Sequence, residues 1–227
     1  MTENTDIRSV RHFIWDFDGT LFDTYPIIIG QIQEALGQFG CAIEPLELME
    51  QLLHTVGTAL AYCAEKFSID DTQLNDAYSQ LHQASALLPV APPMESVEAV
   101  LSAVVARGGK NFIFTHRVLG STQAYLDKYG LRHYFSHIIA PDTPGFAWKP
   151  APDAIGHLLD AYNLDPREVA MVGDREIDLQ SGRAAGVRCI HYICKDVPQA
   201  LDCDWRFSNY AAMADTLKSE ESHYGNL

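Results

Sequence analysis

The segment His12-Phe13-Ile14-Trp15-Asp16-Phe17-Asp18-Gly19-Thr20 decides the fold of this chain. Its first four residues form an apolar run, which predicts a short buried strand. Asp16 and Asp18 follow one residue apart and are succeeded by Gly19 and Thr20. At the end of a strand, one carboxylate can act as a nucleophile and the other as an acid/base or metal ligand. Aspartate and glycine are also common in turns, so an ordinary strand-to-turn connection is the competing interpretation.

Beyond residue 90, apolar strands alternate with helices. The predicted strands are Asn111–Thr115, His137–Ala140, Val169–Asp174 and Val187–Ile193. The predicted helices are Glu95–Ala106, Leu119–Tyr129, Pro152–Tyr162, Asp178–Ala185 and Asn209–Ser219. This repetition, with nearly continuous apolar strands, indicates a parallel, doubly wound α/β sheet. In such sheets, ligands bind outside the carboxyl ends of the strands.

The stretch between residues 25 and 88 shows helical spacing and no alternating strand pattern. The predicted helices are Tyr25–Phe39, Pro45–His54, Thr58–Phe67 and a longer one that Asp70 or Asp71 caps and that runs to about Leu87. A helical block of this size is not a normal crossover and indicates an inserted small domain. The chain leaves it through the proline-rich segment 88–94, which suits a stiff hinge. We expect a helical domain at 23–90 and an α/β core at 1–22 and 91–227.

Composition narrows the possible functions. The formal net charge is −14, with 30 acidic and 16 basic residues, which disfavours a nucleic-acid partner because phosphate backbones require clustered Lys and Arg. The chain has no apolar run of about 18 residues, so we expect no membrane span. A polar first segment and five scattered cysteines predict a cytoplasmic protein with reduced thiols. A monomer is the default expectation.

Polar residues stand where the predicted strands end. They are Asp16 and Asp18 after the first strand, Thr115 after the second, Lys149 in the loop after the third, and Asp174 after the fourth. Because the carboxyl ends of parallel strands meet at one edge, these residues should converge there. A bound phosphate would also need a local cation or oriented N–H groups to overcome the negative charge of the chain.

These residues resemble the motifs of the haloacid dehalogenase superfamily over essentially the whole chain. The matching motifs are Asp16-Phe17-Asp18-Gly19-Thr20, Phe112-Ile113-Phe114-Thr115, Lys149-Pro150-Ala151-Pro152 and Gly173-Asp174-Arg175-Glu176-Ile177-Asp178. The resemblance implies a Rossmann-like α/β core with an inserted all-helical C1 cap. That cap is typical of the subfamily that includes phosphoglycolate phosphatase and β-phosphoglucomutase.

The resemblance also implies catalytic roles. Asp16 would be the nucleophile and would form an aspartyl-phosphate. Asp18 would protonate the leaving oxygen and then activate water. Thr115 would hydrogen-bond the transferring phosphoryl group, and Lys149 would neutralise charge on Asp16 and the phosphate.

The implied cofactor is Mg²⁺. Its ligands would be Asp16, the backbone carbonyl of Asp18, and Asp174, with Asp178 ligating the metal or steadying its waters. The physical chemistry agrees, because four crowded carboxylates cannot all stay ionised without a cation. Hard oxygen ligands together with a substrate phosphate favour Mg²⁺ over Zn²⁺.

Three functions remain open from the sequence. A phosphatase acting on a small phosphorylated metabolite is favoured, since Asp18 argues against a dehalogenase. A sugar phosphomutase is the alternative, but between Thr24 and Val90 the chain has one Lys, Lys66, and no Arg to hold a second phosphate. A phosphonatase-like enzyme would need a cap lysine that forms a Schiff base, and Lys66 is the one candidate in this stretch. A solvated surface lysine is the simpler interpretation of Lys66. A non-catalytic binding protein is the third possibility, because fold does not imply function.

Substrate-binding residues are less constrained. Arg117 and His116, just after Thr115, could contact a substrate from the core side. A structural Arg117 that binds backbone carbonyls is the alternative. His54 and Thr55 lie in a loop that could reach the site from the cap, or could simply connect two helices. Arg175 and Glu176 could pair with each other or with cap residues.

Overall fold

The apolar run His12–Trp15 forms strand β1 in the middle of a parallel sheet, as predicted. This computed structural model describes residues 6–85, 90–194, 197 and 199–219. The other strands are β2 (Asn111–Phe114), β3 (Phe135–Ile139), β4 (Val169–Gly173), β5 (Arg188–Tyr192) and β6 (Trp205–Phe207). The order across the sheet is β3-β2-β1-β4-β5-β6, and all neighbouring strands are parallel.

Helices separate strands β1 to β5 in the alternation that the sequence predicted. The helices of the first half are α1 (Tyr25–Gly37), α2 (Pro45–Leu52), α3 (Val56–Phe67), α4 (Asp71–Ser85) and α5 (Val97–Ala106). Those of the second half are α6 (Leu119–Lys128), α7 (Asp153–Tyr162), α8 (Glu176–Ala184) and α9 (Tyr210–Lys218). None of the helices in the described ranges is long and apolar enough to cross a membrane.

Strand β1 is buried on both faces, which explains its unbroken apolar sequence. Phe13 and Trp15 face an apolar cluster that includes Tyr210 of α9. Ile14 points the opposite way, into a second cluster with Leu158 of α7. Because successive side chains of a strand alternate between faces, covering both faces with helices requires apolar residues throughout. This is the doubly wound α/β fold that the sequence predicted.

The helical insertion formed by α1 to α4 has its own apolar cluster, including Ile32, Leu48 and Leu60. The chain segments that join it to the sheet are hydrogen-bonded to each other. Asp23 N–H donates to the Pro92 carbonyl at 3.0 Å, and Met94 N–H donates to the Leu21 carbonyl at 2.9 Å. Of the predicted hinge at 88–94, Leu88 and Pro89 lie outside the described residues, as do the predicted end of α4 at Leu87 and the chain after residue 219.

Two helices begin earlier than predicted, and each has a local cause. Helix α3 begins at Val56 instead of Thr58, because the Thr55 hydroxyl accepts the Thr58 N–H at 2.9 Å and so caps the helix. Helix α8 begins at Glu176 instead of Asp178. There the Asp178 carboxylate accepts the backbone N–H of Arg175, at the N-cap position, at 3.1 Å, so Asp178 lies inside the first turn.

The sheet edges also differ from the prediction. Strand β3 begins at Phe135, two residues before the predicted His137, and contains exposed Ser136. Polar residues are tolerated there because β3 is an edge strand. Strand β6 (Trp205–Phe207) was not predicted, since three partly exposed residues give too short a pattern.

Candidate active site

The loop after β1 is a tight turn that brings Asp16 and Asp18 to the middle of the sheet edge. Asp16 N–H donates to the Val172 carbonyl of β4 at 2.9 Å. Gly19 has φ +77°, and a Cβ there would lie 2.3 Å from the Tyr25 ring and 2.6 Å from Asp174 Oδ2. Both the backbone conformation and the close approach therefore require glycine at this position.

Lys149 joins two of the carboxylates. Its Nζ donates to Asp16 Oδ1 and, at 2.6 Å, to Asp178 Oδ1. All three side chains are at most 1% exposed. The backbone N–H of Lys149 donates to His116 Nε2 at 3.0 Å, so the loop after β3 is fastened to the loop after β2.

Asp174 is held from two sides by groups on the first 25 residues of the chain. Thr20 Oγ1 donates to its Oδ1 at 3.1 Å, and Tyr25 Oη donates to its Oδ2 at 2.6 Å. Asp178 approaches from α8, one helical turn along. Gly173 makes room for it, because a Cβ at Gly173 would lie 2.3 Å from Asp178 Cβ.

The carboxyl groups of Asp16, Asp174 and Asp178 differ in the direction of their pKa shifts. Burial and the Asp178 charge raise the pKa of Asp16 to about 7, with Lys149 opposing them. Burial also raises the pKa of Asp174 to about 6. Burial alone would raise the pKa of Asp178, but Lys149 and the nearby guanidinium of Arg175 outweigh it and lower that pKa. Burial therefore favours the neutral form chiefly at Asp16 and Asp174, and repulsion from Asp178 adds to it.

Arg117 and Asp18 form an ion pair. Arg117 Nε lies 3.0 Å, and its Nη2 2.6 Å, from Asp18 Oδ1, and the guanidinium lies over the rings of Phe17 and Tyr125. Burial would raise the pKa of Asp18, but Arg117 outweighs it and lowers that pKa. The guanidinium thus contacts a carboxylate, and the predicted alternative of backbone carbonyl partners is wrong.

The residues Asp16, Asp174 and Asp178 fit a hard divalent cation. Each offers a carboxylate oxygen, and the three oxygens lie within 4.8 Å of one another. Within the described part of the chain, Asp16 Oδ2 is buried and has no hydrogen-bond partner. A buried carboxylate oxygen without a donor is suited to a cation. Asp178 was expected either to ligate the metal or to steady its waters. Because its carboxylate already accepts from Lys149 and from the Arg175 N–H, the second of these roles suits it better.

The predicted substrate-binding residues lie in different settings. His116 is half-buried against Trp148, with ring centroids 4.9 Å apart. Burial, followed by the charge of Lys149, lowers its pKa to about 3. Thr55 caps α3 and exposed His54 precedes it, an arrangement that agrees with a helix connection. Contact of these residues with a substrate stays a prediction.

The sequence did not identify Thr20 and Tyr25 as partners of Asp174, and it left Arg175 undecided. Arg175 points into the site, whereas Glu176 pairs with Arg183, so the two do not pair with each other. The available signal for both residues was their closeness in sequence to Asp16. Thr20 lies inside the first motif, and Tyr25 is the first residue of α1.

Helix α4 carries two polar residues, Tyr78 and His82, whose pKa values are affected by the charges of Asp18 and Arg117. The Asp18 charge, after burial, contributes to raising the pKa of Tyr78 to about 12. Burial and the Arg117 charge lower the pKa of His82. Tyr78 and His82 stack at 5.5 Å, four residues apart on one helix face. That spacing was the signal for two polar residues on one face of α4.

Comparisons with known proteins agree with this arrangement. Residues 13–192 match a family model described as haloacid dehalogenase-like hydrolase. The chain is similar to the pyrophosphatase PpaX of Bacillus pumilus, with 30% identity over 198 residues and 83% of each chain covered. It is also similar to a phosphoglycolate phosphatase of Aliivibrio fischeri, with 28% identity over 197 residues, 79% of this chain and 82% of that one covered.

A crystal structure of a predicted phosphoglycolate phosphatase from Haemophilus somnus has the same fold. Its TM-score is 0.78 at 19% identity, and the match covers 91% of this chain and 97% of that chain. At this level of identity the likeness supports the fold alone.

Proposed function

The chain belongs to the haloacid dehalogenase-like hydrolases, and from that premise we propose that it is a Mg²⁺-dependent phosphatase acting on a small phosphorylated metabolite. One observation carries the proposal. Asp16 is buried, one of its oxygens is bound by Lys149, and its other oxygen has no hydrogen-bond partner among the described residues. Such an environment suits a nucleophile that positive charges of the chain hold on one side and that a bound metal would contact on the other.

In the proposed reaction, Asp16 attacks phosphorus and forms an aspartyl-phosphate, which water then hydrolyses. Lys149 neutralises the negative charge that Asp16 and the phosphoryl oxygens bring together. Thr115 is buried and its hydroxyl accepts the Arg117 N–H at 3.0 Å, so its own proton can be donated to a phosphoryl oxygen. Preorganised donors of this kind stabilise the transition state without reorganising.

Asp18 would give a proton to the leaving oxygen and then take one from water. Its side chain is 20% exposed, which allows contact with a leaving group. The pairing with Arg117 favours the ionised carboxylate, the form required for the water step. For the first step, the approach of the phosphate must raise the proton affinity of Asp18.

Asp16, Asp174 and the backbone carbonyl of Asp18 would hold the Mg²⁺, and Asp178 would steady it. When bound, the ion supplies positive charge to the phosphoryl oxygens. The same charge would favour the ionised form of Asp16 and Asp174, whose pKa values burial raises.

We assign residues 23–90 to the cap, and 1–22 with 91–227 to the catalytic core. The paired segments around Leu21 and Met94 would act as the hinge, so that the cap opens for substrate and closes to exclude water. Tyr78 and His82 on α4 would then face the leaving group. Hydrogen exchange of α4 with and without Mg²⁺ plus beryllofluoride tests this closure, and equal exchange in both states would contradict it.

The substrate of the proposed phosphatase would be a phosphate ester or a phosphate anhydride. Phosphoglycolate and pyrophosphate are suggested by the names of two similar proteins. Against phosphoglycolate, Arg117 is already paired with Asp18 and so is not placed to bind a substrate carboxylate. A cytoplasmic monomer without nucleic-acid or membrane partners remains the expectation from the sequence.

The test is phosphate release from p-nitrophenyl phosphate, followed by a panel of phosphorylated metabolites ranked by kcat/KM. Activity should require Mg²⁺ and stop with EDTA. Asp16→Asn should abolish turnover, whereas Asp127→Asn, at an exposed position on α6, should leave it unchanged. Equal activity of Asp16→Asn and the unsubstituted protein would contradict the mechanism.

The same panel separates the alternatives. A mutase would isomerise a sugar phosphate when primed by a bisphosphate, without net phosphate release. A non-catalytic binding protein would turn over no phosphate ester at all.

A further inference from the structure

Arg175 is a buried cation that the proposed mechanism has not used. It follows Asp174 directly and occupies the N-cap position of α8. Its side chain is 8% exposed, with Nη2 3.6 Å from Asp16 Oδ1 and Nε 3.7 Å from Asp178 Oδ2. Both distances exceed those of a hydrogen bond. In the described part of the chain, Nε has no hydrogen-bond partner.

The Nε–H of this guanidinium lacks the hydrogen bond that normally accompanies burial. The guanidinium carries five N–H donors in a planar fork and cannot lose its charge. Burial would lower its pKa, but the carboxylates of Asp178 and Asp16 outweigh burial and raise that pKa well above its usual value. Unsatisfied buried donors are costly, so an oxygen-rich anion entering beside Arg175 would relieve that cost.

The oxygen of Asp16 that faces Arg175 is also the one that Lys149 binds. Asp16 Oδ1 accepts from Lys149 Nζ and lies 3.6 Å from Arg175 Nη2. Oδ2, the other oxygen, is the one without a hydrogen-bond partner in the described ranges. A phosphoryl group that approaches Oδ1 therefore meets two cations, and a fork of N–H donors matches its tetrahedral oxygens better than a point charge does.

We propose that the Arg175 guanidinium binds a non-bridging oxygen of the phosphoryl group held against Asp16. This inference rests on the proposed function, because it assumes phosphoryl chemistry at Asp16. It makes Arg175 a phosphoryl-binding residue in addition to Thr115 and Lys149. It also changes the charge balance of the site, where Arg117, Lys149 and Arg175 stand against four carboxylates.

The consequence is that the chain's own cations bind orthophosphate to a measurable extent without metal. The probe is inorganic phosphate, titrated calorimetrically into the whole protein in EDTA and again in Mg²⁺. Arg175→Gln should weaken phosphate binding about 10- to 100-fold in EDTA, the loss expected for hydrogen bonds to a charged group. Arg175→Lys should weaken it less, because it keeps the charge but not the fork.

Arg183→Gln is the matched control, since Arg183 is also on α8 but pairs with Glu176 and is 33% exposed. It should bind phosphate as the unsubstituted protein does. If Arg175→Gln does not fold, Arg175→Lys decides, and phosphate affinity equal to that of the unsubstituted protein would overturn the inference. A crystal structure with bound orthovanadate should place an Arg175 nitrogen within hydrogen-bond distance of a vanadate oxygen.

The outcomes separate this inference from the proposed function. Phosphate affinity in EDTA that is undetectable, or that is the same in Arg175→Gln and the unsubstituted protein, overturns the role of Arg175. Release of phosphate from p-nitrophenyl phosphate by the unsubstituted protein, assayed separately, decides the proposed function alone.

Discussion

Tyr25 Oη lies 2.6 Å from Asp174 Oδ2, so the first residue of the helical insertion is hydrogen-bonded to a carboxylate at the end of β4. Both residues are buried, at 2% and 0% exposure. The bond is one of the interactions that oppose the effect of burial on the pKa of Asp174. A hydrogen bond therefore connects the insertion directly to a candidate metal ligand.

The first prediction follows from this bond. Tyr25→Phe keeps the ring but removes the hydroxyl, so the pKa of Asp174 should rise and its orientation should loosen. Mg²⁺ affinity, measured by calorimetry at neutral pH, should fall about 10- to 100-fold, as is usual when a hydrogen-bond partner of a metal ligand is lost.

Tyr62→Phe is the control for Tyr25→Phe. Its hydroxyl donates to Glu47 on the surface of the insertion, so Mg²⁺ affinity should not change. Unchanged Mg²⁺ binding by Tyr25→Phe would contradict the orienting role of the phenol, and tighter binding would mean that the phenol competes with the metal for Asp174.

The second prediction concerns the buried ammonium of Lys149. Lys149→Met removes the cation that is hydrogen-bonded to both Asp16 and Asp178, and removing one partner of a buried ion pair typically costs about 3–5 kcal/mol. We expect that loss in the free energy of unfolding in EDTA, with partial recovery in saturating Mg²⁺. Turnover should fall about 10²- to 10³-fold.

Lys66→Met provides the comparison for Lys149→Met. Lys66 pairs with Glu47, but its side chain is 37% exposed, so the pair is screened by solvent. Urea denaturation should show little change for this variant. A Lys149→Met protein as stable as Lys66→Met would contradict the assignment of Lys149 as the counter-charge of the two carboxylates.

The third prediction is a shift in the pH profile. Burial raises the pKa of Asp18, and Arg117 more than offsets it, so Arg117→Met should raise that pKa. An opposite charge this close typically lowers a carboxyl pKa by about 1–3 units. If protonated Asp18 donates to the leaving group, the limb of kcat/KM that falls with increasing pH should move to higher pH.

Arg167→Met is the matched control for Arg117→Met. Arg167 also pairs with a carboxylate, that of Asp165, but its side chain is 86% exposed. Its pH profile should overlie that of the unsubstituted protein. A limb that stays in place in Arg117→Met would show that Asp18 is not the group that titrates in kcat/KM.

The convergence of Asp16 and Asp174 could be predicted from sequence because each directly follows a strand of the sheet. Lys149 lies further along, in the loop after β3, and the hydrogen bond from its N–H to His116 Nε2 fastens that loop to the site. Buried parallel strands must read as apolar runs, and their carboxyl ends share one edge of the sheet. Any polar residue immediately after such a strand is therefore near the others, whatever the side chains do.

The directions of the arginines could not be predicted in the same way. Arg175 lies inside the site because α8 begins at Glu176, which makes Arg175 the N-cap residue. If α8 began at Asp178, as the sequence predicted, Arg175 would lie in the preceding loop, and the helix would not fix the direction of its side chain. Arg117 reaches Asp18 across a sequence separation of 99 residues. Its path is set by the packing of the guanidinium over Phe17 and Tyr125 and by the hydrogen bond from Nη1 to the Ser121 hydroxyl at 3.0 Å.

The fourth prediction uses the half-buried imidazole of His116. Its pKa is about 3 in the folded protein against 6.5 in the unfolded reference, so the unfolded state binds more protons between these values. The contribution of His116 to the free energy of unfolding is therefore complete above pH 6.5 and is lost as the pH falls toward 3. His116→Gln should remove this pH-dependent part.

Urea denaturation at several pH values between 7 and 4 measures this effect as a difference between proteins. The stability of the unsubstituted protein relative to His116→Gln should decrease as the pH falls. Exposed His133 on the same half of the chain gives the control His133→Gln. A difference between unsubstituted protein and His116→Gln that is constant with pH would contradict the burial of a neutral imidazole at this position.

The fifth prediction tests the close packing of β4 against α8. A Cβ at Gly173 would lie 2.3 Å from Asp178 Cβ and 2.6 Å from its carboxylate, so Gly173→Ala must displace Asp178 from Lys149. We expect lower stability, by about 1–3 kcal/mol as for other overpacked positions, together with reduced turnover. Gly156→Ala on α7 has no heavy atom within 4 Å of its new Cβ and should stabilise the helix by up to about 1 kcal/mol. If both alanine variants are equally stable and active, the spacing between β4 and α8 does not position Asp178.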